Sequence, residues 1–263
     1  MYKFLIFLLF PIFLFSQEVK ESKPMSFYYQ FRYYSKINPS KFFQEYFVLN
    51  IEDGKSVFHS LNQRKNDSIT DVALHESDLG HTRISFVGQT KTFITSYVFK
   101  KYKENRMEII DNIGKDNFQY SEELLRNRWK ISEEKKEIQG YACQKATVTS
   151  YGRTFVAWFA PQIPFHDGPY KFSGLPGLIL ELEDTEKRFA FALVKFDPKN
   201  SETFTYPKYK MSKLKSVEKK LFLEAQKNYA ENILSRARSF GIEMDENKAR
   251  EIRNRKRETI ENE

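Results

Sequence analysis

Cys143, the only cysteine of the chain, is followed by His166 and Asp167. These are the residue types of a thiol nucleophile, its base and the carboxylate that orients the base. A trio of this kind does chemistry only where the fold brings thiol and imidazole within hydrogen-bond reach. The plainer reading makes Cys143 a small apolar side chain buried in a strand and His166 a loop residue bonded to a neighbouring carbonyl. A second group, His75, Glu76, Asp78 and His81, has metal-ligating types. Its spacing matches neither a helical histidine pair nor a zinc signature, so no metal and no cofactor is expected. His59 stands alone. No nucleotide-binding loop, nucleophile elbow or His-Glu-x-x-His motif is present.

The elements that would position these residues are strands. Tyr141 to Ser150, Thr154 to Ala160, Leu178 to Leu182 and Phe189 onward alternate in polarity, and turn residues separate them at Tyr151-Gly152-Arg153 and Asp184 to Lys187. Residues 141 to 196 therefore read as four consecutive antiparallel strands. The second and third are joined by residues 161 to 177, where four Pro and three Gly fall within 17 positions. Long loops inside a meander tend to be functional or compact and self-packed. Two readings follow. Tyr170, Lys171, Phe172 and Leu175 form a recognition surface, aromatics on a rigid loop being able to bind at low entropic cost. Alternatively Phe165, Phe172, Leu175 and Leu178 plug one end of the sheet, while Gly174, Pro176 and Gly177 set turn geometry, with Pro176-Gly177 suited to a type II turn.

Gly174-Leu175-Pro176-Gly177-Leu178-Ile179 spells the motif that names the GLPGLI family of exported bacterial proteins, and the chain resembles that family. Gly140 to Ala146, Gly152-Arg153, Ala157-Trp158, Ile163-Pro164 and Gly168 to Phe172 follow its pattern in the family order. The resemblance is dense over about residues 122 to 196. It implies export and a β-rich envelope protein, and it carries no assigned activity.

The remaining chain fits this picture. Lys3, the apolar run Phe4 to Phe15 and the exit Ser16-Gln17 read as a signal peptide over residues 1–16. Twelve residues of helix rise about 18 Å, short of the ~30 Å hydrocarbon core, so no transmembrane span is expected after its removal. No cysteine adjoins the exit, which argues against a lipoprotein and for a periplasmic or secreted one. Residues 17–205 read as an antiparallel β domain. Met25 to Tyr34 puts Phe27, Tyr29, Phe31 and Tyr33 on one face, Phe42 to Ile51 and Ser56 to Leu61 flank the hairpin signal Asp53-Gly54, and a long strand runs from Thr92 to Tyr102. Residues 206–263 read as an amphipathic helix from Val217 to Phe240 and a charged, loosely held tail. The expected fold is mainly β with C-terminal α: a curved antiparallel sheet or partly open β-barrel packed against the helix.

The chain has 25 Phe, 15 Tyr and 2 Trp, enough for an aromatic core. Its net charge of +8 is diluted by interspersed acids and accompanies no nucleic-acid motif, so no nucleic-acid partner is expected. The leading functional expectation is non-enzymatic binding of an apolar ligand or of an envelope protein. The alternatives are a thiol-dependent enzyme using Cys143 with His166, and an accessory protein of an outer-membrane machine.

Overall fold

The computed structural model describes residues 24–35, 42–78, 88–125, 128–198, 206–239, 241, 243–247, 249–250 and 260–261. The N-terminal segment read as a signal peptide lies outside them. So does His81 of the group with metal-ligating residue types, along with the side chains of Glu76 and Asp78, while His75 is exposed. Among the described residues, no helix is long and apolar enough to cross a membrane, and no group of three or more His, Cys, Asp or Glu is placed to hold a metal ion.

The first half is a meander. β1 (Met25–Tyr34), β2 (Phe42–Glu52) and β3 (Lys55–Ser60) are followed by helix α1 (Leu61–Asp78), then β4 (Tyr97–Lys101), β5 (Arg106–Ile113) and β6 (Asp116–Glu123). A second meander holds β7 (Lys130–Ile138), β8 (Tyr141–Ser150), β9 (Arg153–Ala160), β10 (Leu178–Asp184) and β11 (Phe189–Asp197). Antiparallel pairing of β1 with β11 fuses the two into one sheet. A short helix α2 (Lys208–Ser212) leads to β12 (Leu214–Ser216), which pairs parallel with β6, and helices α3 (Lys219–Glu231) and α4 (Ile233–Ser239) follow. The sheet has 12 strands in the order β12, β6, β5, β4, β3, β2, β1, β11, β10, β9, β8, β7. It is open rather than barrel-closed: β12 and β7 are free edges, and β7 is protected by its exposed, charged side chains.

Alternation decides which face is core. Phe27, Tyr29 and Phe31 are fully buried, and their register partners Leu49 and Phe47, together with Phe58 of β3, continue the same face. Phe31 packs on Phe47 and Phe191 at ring distances of 5.7 and 4.7 Å. At the β8–β9 turn, Tyr151 and Gly152 both have positive φ, 55° and 68°, the combination a two-residue hairpin of matching twist requires.

Three elements differ from the sequence expectation. The strand expected from Thr92 begins only at Tyr97, because buried Glu45 draws the preceding segment out of the ladder. Its carboxylate accepts bonds from the Thr92 hydroxyl at 2.6 Å and the Phe93 N–H at 2.8 Å. The polar stretch after Gln63 is helix α1. The expected single helix breaks at Asn232, while its first part packs on the sheet as expected, against β5 and β6 through Phe222, 5.0 Å from the Tyr120 ring.

Candidate functional site

Residues 161–177 lie across the inner face of the sheet. The loop is tied to itself first: Ile163 N–H donates to Ala160 O, Phe172 N–H to Pro169 O and Gly174 N–H to His166 O, and Asp167 and Ser173 form an antiparallel bridge. The following strand is tied in by Leu178 N–H to Ile163 O at 3.1 Å and Ile179 N–H to Asp167 O at 2.9 Å. Distant side chains then close on the backbone of loop and strand, Tyr29 OH of β1 donating to Ile179 O and Trp129 Nε1, just before β7, to Ser173 O, both at 2.8 Å. Gly177 has no alternative, because a Cβ there would stand 2.2 Å from the Ala160 carbonyl oxygen.

Two buried lysines fasten the loop to the sheet, and their roles are reciprocal. Lys100 belongs to β4. Its ammonium donates to Asp167 Oδ1 at 2.7 Å, Gly168 O at 2.8 Å and Phe172 O at 3.1 Å, which uses all three of its donors. Lys171 belongs to the loop and reaches back to Glu122 of β6, to Glu261 at 2.5 Å and to Tyr120 OH at 3.2 Å. Both lysine side chains are 0% exposed. Lys100 pairs with Met107 in the ladder, and Met107 pairs with Glu122. One cross-strand row therefore presents a cation and an anion two strands apart, about 10 Å. The loop presents Asp167 and Lys171 in the complementary order.

The electrostatics of the two fastenings differ. Burial lowers the Lys100 pKa, and the charge and hydrogen bond of Asp167 offset only part of that. Burial also pushes Lys171 downward, but Tyr170, Glu261, Tyr120 and Glu122 together hold it well above the ordinary lysine value. The Lys171 ammonium also stands 5.1, 5.4 and 5.5 Å from the ring centres of Tyr120, Tyr151 and Tyr170, a cation in a three-tyrosine enclosure. Glu261 comes from the far end of the chain. It accepts from the Tyr170 hydroxyl and from Lys171, and Lys219 of α3 lies 3.6 Å away. The tail expected to be loosely held therefore reaches the core at this point, with Ile260 only 3% exposed.

As a surface for a ligand, Tyr170, Lys171, Phe172 and Leu175 are unavailable, because all four are buried. Phe172 is enclosed by Phe155, Tyr151 and Trp129 at ring distances of 4.6, 5.8 and 6.2 Å. Of the two readings of this loop, their burial fits the plug, because the sheet supplies enough apolar surface and two charge partners to bury them. Pro176 is exposed; Gly174 has φ 93°.

The thiol, imidazole and carboxylate are not assembled into a trio. Asp167 is committed to Lys100 and to the Gly168 N–H. His166 is exposed, and its carbonyl serves the loop's own turn. Cys143 is buried in β8, where burial, with a further push from Glu181, raises its thiol to about 11 against the opposing pull of Lys136. A thiol so placed stays protonated near neutrality and is a poor nucleophile.

A second buried polar cluster lies on the opposite face. Tyr97 OH donates to Asp67 of α1 at 2.6 Å, Gln63 Nε2 donates to the same carboxylate at 2.8 Å, and Lys210 of α2 stands 3.3 Å from it. His59 stacks on Tyr97 at 5.3 Å, and burial lowers its pKa to about 4. This cluster fixes α1 and α2 to β3 and β4. Sequence reading missed Lys100, Glu122 and Glu261. The only available signal was a lysine inside an apolar strand, Tyr97-Val-Phe-Lys100.

Residues 150–181 match the model of a family described as "Protein of unknown function (Porph_ging)", a span that includes the whole loop. No curated protein matches the chain. Two crystal forms of PNGF-II, P21 and C2, superpose with TM-scores of 0.54 and 0.56 at 12% identity, covering 79% of this chain. The chain spans about a third of PNGF-II, 34% and 33% in the two forms, so the likeness concerns the fold of that part. A LolA superfamily protein from Nitrosomonas europaea, NE2245, is similar at a TM-score of 0.28 and 6% identity, over 67% of this chain and 86% of the other.

Proposed function

We propose that this chain is an exported envelope protein of the GLPGLI family that acts by binding another envelope protein, without catalysis of its own. The observation that carries the reading is the division of the sheet into a filled face and an aromatic open one. The inner face, where an apolar ligand would have been sought, is taken up by residues 161–177. On the outer face of β1 and β2, Phe42 is 57% exposed and Tyr46 44% exposed. Phe42 lies 5.8 Å from the Tyr34 ring. Around Tyr46, Gln30 and Gln44 donate to its hydroxyl at 3.3 and 3.2 Å, and Arg32 in turn donates to Gln30 at 2.9 and 2.6 Å. Aromatic rings held in place by a polar network suit protein recognition, since Tyr and Arg are enriched where interfaces bury their surface.

The test is photo-crosslinking in cells, with a photoreactive phenylalanine analogue at Tyr46 and, as control, at Lys135 on the charged edge strand. A discrete protein adduct at 46 and none at 135 is the expected outcome. Absence of any adduct at 46, with lipid co-purifying instead, would replace the protein partner by an apolar ligand. Export is tested separately by sequencing the N-terminus of the mature protein, which is expected to begin at Gln17.

A further inference from the structure

The position held by Glu261 has the construction of a binding site. Lys171 and Tyr170, 0% and 7% exposed, aim an ammonium and a hydroxyl at one carboxylate, and Lys219 approaches it from the side. Glu122 also meets the Lys171 ammonium and lies 3.1 Å from Lys219. Without Glu261 the buried Lys171 ammonium keeps one carboxylate instead of two and the buried Tyr170 hydroxyl loses its acceptor, which is costly unless another carboxylate takes its place. Beside the carboxylate, Ile260 enters the main core cluster. The site thus reads two features in succession, a branched apolar side chain and then a carboxylate.

We infer that the loop and α3 form a carboxylate-binding site for an acidic peptide, which the chain's own Ile260-Glu261 occupies as a tethered competitor. Several features follow from the geometry. Among the described residues, Ile260 and Glu261 meet this site through their side chains, whereas the loop itself is held by backbone bonds and by Lys100, so the anchoring of the loop does not depend on the tail. A peptide that replaces it needs an aliphatic residue followed by Glu or Asp; an amide in place of the carboxylate has one accepting oxygen instead of two and supplies no charge. Burial pushes the Glu261 carboxyl up, but Lys171, the bonds from Lys171 and Tyr170, and Lys219 outweigh it and hold its pKa below the ordinary carboxylate value. The Glu261 carboxylate is therefore ionised near neutrality, and acid weakens its hold on the site.

The experiment uses a fluorescent peptide copying residues 256–263, titrated against the mature chain and against the same chain ended at Thr259, with anisotropy as the readout. The shortened chain is expected to bind the peptide, and the mature chain to bind it at least about tenfold more weakly, because its own tail competes. A peptide with Gln in place of the residue-261 Glu is expected to lose binding to the shortened chain. Equal binding by both chains, or by neither, overturns the inference. Should the shortened chain not fold, the full-length Glu261→Gln variant decides: peptide binding about tenfold stronger than that of the unaltered chain supports the site, and unchanged binding overturns it.

Discussion

The two lysines that hold the 161–177 loop solve the same problem with different degrees of permanence. At Lys100 the sheet supplies the cation, and everything that satisfies it, one carboxylate and two carbonyls, belongs to the loop within a few residues. At Lys171 the loop supplies the cation, and its partners come from β6 and from residue 261, 90 positions further along the chain than Lys171. The first fastening forms whenever the loop touches the sheet. The second is complete only when the far end of the chain returns. A buried cation whose partners are local rigidifies a fold, whereas one that depends on a distant segment gives the fold a position that can be opened.

The largest expected effect breaks this comparison if it fails. Lys100→Met leaves Asp167, 1% exposed, as an uncompensated buried charge, and is expected to cost about 3–5 kcal/mol in denaturant unfolding. Lys171→Met leaves Glu122 and Glu261 10–12% exposed and still beside Lys219, so a smaller loss, about 1–2 kcal/mol, is expected. Equal losses would mean that the two fastenings do not differ. Next in size, Gly177→Ala drives a Cβ into the Ala160 backbone and is expected to cost about 3 kcal/mol. Gly140→Ala, at a positive φ but with open space around it, should cost nearer 1 kcal/mol in the same denaturant unfolding.

The pH dependence separates the two faces of the sheet. His59 has its folded pKa lowered to about 4, so its contribution is fully present above the unfolded value of ~6.5 and is lost as pH falls toward 4, a change on the order of 3 kcal/mol. His59→Asn should abolish that slope. The Glu261 carboxyl, also depressed, stabilises the fold above the unfolded carboxylate pKa and loses its contribution below it, so in the His59→Asn background the remaining acid loss should shrink further on Glu261→Gln. The smallest effect is at Cys143. Alanine there should change stability by about 1 kcal/mol, and iodoacetamide at pH 8 should label the thiol only after unfolding.

Much of the fold was legible because alternation is a local signal. β8 was read with its observed limits, and the four strands from Tyr141 were placed in order, since each shows period two and is bounded by turn residues. Helix α1 was not legible: its polar sequence is stabilised by contacts with distant residues, such as Tyr97 on Asp67 and Lys210 beside it. The loop was recognisable by its Pro and Gly content, but not the direction of its side chains. Whether Tyr170-Lys171-Phe172 faces solvent depends on Glu122 and Glu261, which lie 49 residues before and 90 after Lys171. Nothing local distinguishes a lysine that will find two carboxylates from one that will stay in water.

The central claim, that the loop is a clamped strut of the core with one fixed and one releasable end, is tested most directly by amide hydrogen exchange. The amides of Gly174 and Ile179, bonded to His166 and Asp167, should exchange as slowly as those of β1 in the centre of the sheet. In Glu261→Gln, exchange should quicken around Tyr170 to Phe172 while Ile179 keeps its protection. Exchange of the whole loop within minutes in the unaltered protein, or uniform loosening of both ends in the variant, would contradict it.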